Sequence, residues 1–71
     1  MNEYVVIYEP TEDGAWGAWL PDIDGVVALG KTREEVERGM REALAAFVEY
    51  EREEGREVPA PRNRAGYVTA G

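Results

Sequence analysis

Asp22 and Asp24, two carboxylates two residues apart, and the adjacent pair Glu12 and Asp13 are the residues of this chain best placed by type and spacing to do chemistry. Paired carboxylates can share general acid–base work or hold a hard cation. A calcium loop, however, draws on about six to eight oxygen ligands, and two acids fall short of that. Both pairs also stand in turn-forming surroundings, Pro21 and Gly25 around one and Gly14 beside the other. There an aspartate side chain simply bonds to nearby backbone amides, and that reading is adopted for both pairs. The chain has no histidine and no cysteine. Thiolate or imidazole metal sites, Ser-His and Cys-His dyads and disulfides are therefore excluded. Gly14-Ala15-Trp16-Gly17 lacks the lysine and the spacing of a phosphate loop. No catalytic residue, cofactor site or metal ligand is assigned.

The aromatic residues are the second candidates. Tyr4, Tyr8, Trp16 and Trp19 could stack on bases, but no basic residue accompanies them in sequence. The whole chain carries 15 acids against 8 bases, a net charge of −7, which repels phosphate backbones and argues against direct nucleic-acid binding. The excess is concentrated early. Residues 1–31 hold six acids and one lysine, or −5, and residues 32–71 hold nine acids and seven arginines, or −2. Such a distribution suits a basic protein partner, whose approach it would steer. It also keeps a small domain in solution.

These residues need elements to position them. Tyr4-Val5-Val6-Ile7-Tyr8 is β-branched and aromatic and predicts a first strand. Pro10 and Asp13-Gly14 read as a hairpin loop in which Gly14 supplies a positive φ. A second strand is expected over Ala15–Leu20, ended by Pro21, which has no amide hydrogen for a ladder. Asp22–Gly25 reads as a tight reversal, and Val26–Leu29 as a short third strand. After Gly30, Thr32 and Glu35 stand at the spacing of a capping box, with the Thr32 hydroxyl accepting from the Glu35 amide and the Glu35 carboxylate from the Thr32 amide. Val36, Met40, Ala43, Leu44, Phe47 and Val48 then recur as one apolar helical stripe. Gly39 inside that helix predicts a close approach to a neighbouring backbone. The helix should end near Glu54 with Gly55 as its cap, whose last turn holds the solvated acidic run Glu49–Glu54. Val58-Pro59-Ala60-Pro61 reads as extended chain, and Ala65–Thr69 as a fourth, terminal strand.

The fold class is therefore α+β: a three-stranded antiparallel meander, one long helix and a short C-terminal strand, in a single domain over residues 1–71. Strand alternation puts Tyr4, Val6 and Tyr8 on one face and Val5 and Ile7 on the other, and sends Trp16 and Trp19 to opposite faces. Both sheet faces are apolar, and one helix can cover one of them. An uncovered face holding tyrosines and a tryptophan would be a binding surface. The candidate interface is Tyr4, Val6, Tyr8, Trp16, Trp19, Asp22 and Asp24, with Gly14, Pro21, Gly25, Gly30, Thr32 and Glu35 in structural roles. A homo-oligomer, dimer or tetramer, would also help so short a chain to bury a core. The competing arrangement has the C-terminal segment, through Pro59, Pro61 and Tyr67, folded back as a lid. No apolar run approaches membrane-spanning length and the start lacks signal-peptide features, so a cytoplasmic protein is expected.

Leu20-Pro21-Asp22, Gly25, Gly30-Lys31-Thr32, Glu35 and Pro59-Ala60-Pro61, following Asp13-Gly14 and an aromatic strand, resemble in order and spacing the HicB-like antitoxin domain. The resemblance covers about residues 4–61. It implies a partial ribonuclease H-like β-β-β-α-β fold and a partner, the HicA toxin, a small basic ribonuclease whose active site the antitoxin masks. Two departures stand out. No helix-turn-helix or ribbon-helix-helix segment of the kind many such antitoxins carry can be placed, so no DNA-binding domain is expected. Asp24-Gly25-Val26 also stands where the family often has Pro-Gly-Cys. No acidic tetrad can be placed on the strands, which leaves residual ribonuclease activity a remote alternative. An orphan homo-oligomeric structural or regulatory protein is the nearer one.

Overall fold

The computed structural model describes residues 3–71. Its elements are β1 (Ile7–Pro10), β2 (Trp16–Leu20), β3 (Ile23–Gly30) and α1 (Arg33–Glu53). The strands form one antiparallel sheet in the order β1-β2-β3. The expected meander and long helix are present. The fourth strand is not: residues 56–71 carry no regular secondary structure. Pro59 and Pro61 lack amide donors, and the segment around Tyr67 and Val68 is almost fully exposed, so no ladder forms there.

Local chemistry accounts for the joints. In the hairpin loop the Thr11 amide donates to the Ala15 carbonyl (2.9 Å), the Ala15 amide donates to Thr11 Oγ1 (3.0 Å), and Gly14 takes φ +86°. β1 begins and ends later than its sequence indicates, at Ile7 and at Pro10, which an edge strand tolerates because its outer amides need no partner. The reversal expected over Asp22–Gly25 is tighter than that. It is made by Pro21 and Asp22, and β3 already starts at Ile23. Gly25, at φ +85°, instead forms a bulge, since Leu20 pairs with Ile23 while Trp19 pairs with Val27. The bulge turns both Ile23 and Val26 into the core.

Thr32 caps α1, accepting from the Glu35 amide at 3.1 Å. The Glu35 carboxylate reaches one residue further back than a standard capping box and accepts from the Lys31 amide at 2.9 Å. At the other end Gly55 has φ +74°, its amide donates to the Arg52 carbonyl and that of Arg56 to the Glu51 carbonyl, a Schellman closure.

The core is Ala18, Leu20, Ile23, Val26, Ala28, Val36 and Met40. The apolar stripe of α1 is thus buried in its first half, while Ala43, Leu44 and Phe47 are half-buried against the core with Val58 from the returning chain. Gly39 sits over β3 as expected, yet a methyl group there would meet the Ala28 Cβ at 3.6 Å, an ordinary contact. The approach is close without requiring glycine. Gly39→Ala is therefore expected to raise stability by about 1 kcal/mol through helix propensity, read as an increase in the urea midpoint at constant slope. A loss of stability would show that the interface between α1 and β3 is tighter than 3.6 Å implies.

Candidate functional site

Strand register decides which side chains share a face. Tyr8, Ala18 and Ala28 lie in one row, and Pro10, Trp16 and Gly30 in the next, on the side that α1 covers. Ile7, Trp19 and Val27 form a row on the opposite side, with Glu9, Gly17 and Leu29 beside it. Among the described residues no helix or strand lies over that second side. Trp19 is 43% exposed, Val27 62% and Leu29 79%.

The expected aromatic surface is corrected accordingly. Tyr4, Val6, Tyr8 and Trp16 pack against the core under the helix, and of the candidate aromatic residues Trp19 alone lies on the open face. Tyr8 has a further neighbour there, the Arg33 guanidinium 4.8 Å from its ring centroid. Val27 and Leu29 are the open-face residues missing from the sequence-based set. Their alternation against Val26 and Ala28 is visible in sequence, but which alternate the helix takes is not.

On the open face the Trp19 indole N–H donates to Glu9 Oε1. Gly17, which lies opposite Glu9 in the register, places no side chain between them. A Cβ added there would stand 3.2 Å from Leu29 Cδ2, so Leu29 leans over the same gap from the other flank. The result is a flat apolar floor with one fixed carboxylate at its margin.

Asp22 and Asp24 part company. Asp24 is exposed at the bulge. Asp22 is committed internally: its Oδ2 accepts from the Arg62 amide (3.0 Å) and the Asn63 amide (3.1 Å), and its Oδ1 from the Asn63 side-chain amide. The turn reading for Asp22 identified the right kind of partner, backbone amides, at the wrong place, some forty residues away in sequence. Together with the Tyr4 hydroxyl donating to the Pro59 carbonyl, this clip holds the chain after α1 beside the start of β1. Asn63, Arg64 and Tyr67 there line a shallow depression with Val5, Ile7 and Pro21. The segment is a strap along that margin. It leaves Trp19, Val27 and Leu29 open, so it is not the lid that the alternative arrangement called for.

Amide donation from Arg62, then Asn63, holds the Asp22 carboxyl below its ordinary value of 3.8. A lowered value in the folded state means the clip contributes fully above the ordinary value and is lost as pH falls through the lowered one. The Arg62 and Asn63 amide resonances are therefore expected to titrate together, with an acid midpoint below 3.8. A midpoint at or above that value would remove the clip. Asp22→Ala should also speed tryptic cleavage after Arg62 and Arg64 several-fold at neutral pH, without speeding cleavage within α1.

Among the described residues, no helix is long and apolar enough to cross a membrane. A family described as HicB_like antitoxin of bacterial toxin-antitoxin system matches residues 4–70. Among solved structures, the chain is similar to the N-terminal domain of the antitoxin HicB from Burkholderia pseudomallei, with a TM-score of 0.75 and 27% identity over 83% of this chain and 69% of that one. No curated protein matches the sequence.

Proposed function

The chain belongs to the HicB-like antitoxins of bacterial toxin–antitoxin systems, and from that premise we propose that it is a non-catalytic binding module that neutralises a small basic ribonuclease toxin by docking over the toxin's active site. The observation that carries this reading is the uncovered face of Trp19, Val27 and Leu29. Three large apolar side chains left exposed on a sheet face that no described element covers form the kind of continuous patch that marks a protein interface. Charge gives the partner its sign. The first 31 residues, which hold all three strands, carry −5, so a basic surface is drawn in and a nucleic acid is repelled. The chain then occupies the toxin's basic cleft in place of RNA and performs no chemical step of its own.

A second reading, a homo-oligomer sealed through the same face, is supported by the same patch and by the small core. Charge weighs against it, because two copies at −7 each repel one another. Salt separates the two readings. Screening strengthens association between like-charged copies and weakens association with a basic protein.

The test is co-expression with the small basic protein encoded beside this chain, followed by RNA cleavage assays on the purified mixture. The wild-type chain is expected to co-purify with that protein and to suppress cleavage. Val27→Asp combined with Leu29→Asp should weaken inhibition by about 30-fold or more, the scale of losing interface hot spots. Both positions are solvent-exposed in the free chain, so the thermal midpoint should change little. Full inhibition by the double variant, or no basic partner at all, would sink the proposal.

A further inference from the structure

We infer that Trp19 and Glu9 form a seat for an arginine side chain of the toxin. This rests on the antitoxin reading above and specifies the chemistry at the centre of its interface. The seat is built by register. Glu9 and Trp19 lie on the same face in adjacent rows, Gly17 opposite Glu9 puts no side chain beside them, and the indole N–H meets the carboxylate. The indole's polar edge is thereby occupied, and Trp19 remains 43% exposed. Leu29 closes the flank beside Gly17.

Glu9 receives a neutral donor and no cation. The ion pairs among the described residues are Arg33–Glu37, Arg56–Glu51 and Arg56–Glu54, and Glu9 takes part in none of them. Its charge is therefore oriented but unbalanced, beside an aromatic face. A planar guanidinium answers both features at once, stacking on the indole while donating to the free carboxylate oxygen. An ammonium would pair with Glu9 but would match the flat ring less well.

The molecule already contains the completed version of this arrangement. At the end of α1, Arg56 lies 5.3 Å from the Tyr50 ring centroid and pairs with Glu51 at 2.9 Å. Trp19 and Glu9 repeat the aromatic and the acid without the arginine. The chain's own nearby arginines are placed elsewhere. Arg33 is over Tyr8 on the covered face, and Arg64 lines the depression beside the start of β1.

The experiment measures affinity of the full chain for the purified adjacent basic protein, at two salt concentrations, for wild type, Glu9→Gln, Trp19→Leu, Trp19→Phe and the Glu9→Gln/Trp19→Leu double variant. Glu9→Gln keeps an acceptor for the indole and so preserves the ring's orientation. It is expected to lower affinity about tenfold and to flatten the salt dependence, as loss of a charge-assisted pair should. Trp19→Leu should cost about tenfold and Trp19→Phe less, because a smaller aromatic ring still attracts a cation. The double variant should lose less than the product of the single losses, since both remove one shared contact. Equal affinity for wild type, Glu9→Gln and Trp19→Leu, with tight binding retained, would overturn the seat and leave the antitoxin reading standing. No binding by the wild-type chain would overturn both. A change in the solution mass of the free chain on Glu9→Gln would identify a second copy as the occupant and overturn the assignment to a toxin.

Discussion

One helix has to serve a sheet that is apolar on both sides, and the choice of side governs the rest of this molecule. Hydrophobicity does not make that choice, because both faces carry it. Side-chain size does. Beneath α1 the middle rows of the sheet present Ala18, Ala28 and Gly30, and the helix answers with Gly39 over Ala28. The opposite rows present Trp19, Val27 and Leu29. A helix backbone can settle closely onto the small side chains and drive Val36 to complete burial. On the other side, bulky residues would hold it away and leave voids, which cost dispersion contacts. The face left open thus keeps Trp19, Val27 and Leu29, large apolar residues of the kind that contribute most when a partner supplies the missing layer.

The chain beyond the helix follows from the same economy of elements. Gly55 ends α1 with a left-handed residue and turns the chain back, and Val58 returns to the core. With prolines at 59 and 61 it cannot extend the sheet by a regular ladder, so it is held at points, by Asp22 and by the Tyr4 hydroxyl. A strap held by a few exposed hydrogen bonds opens more easily than a strand. It lies along the margin near β1, beside Ile7, and leaves Trp19, Val27 and Leu29 exposed.

Where a local signal is strong, sequence and structure agree closely. The Thr32–Glu35 spacing located the start of α1, and Gly55 its end, because caps are chemical events confined to a few residues. The pairing of alternate residues into two faces was equally legible. The destination of each face was not. Tyr4, Val6, Tyr8 and Trp16 were expected on the outside and lie under the helix, because alternation is a two-fold pattern without an absolute sign. The sizes of Ala18 and Ala28 carry that sign. The bulge at Gly25 and the long reach of Asp22 escaped for a related reason, since both depend on contacts between segments that are distant or offset along the chain. The terminal strand had β-forming residues in Tyr67-Val68-Thr69, but propensity alone supplies no partner, and those residues remain exposed.

The Trp19–Glu9 contact reconciles two demands on an open apolar face, that it stay soluble when free and bind when met. An upright indole would project a large apolar surface into water. Tied to the neighbouring strand, it gives its N–H to a carboxylate that keeps the neighbourhood charged. Restricting two side chains in advance also lowers the ordering cost of association, so the geometry that protects the free chain is already the geometry a partner needs. The glycine at 17 keeps the floor between them low: a Cβ there would stand 3.2 Å from Leu29 Cδ2 and crowd that side chain.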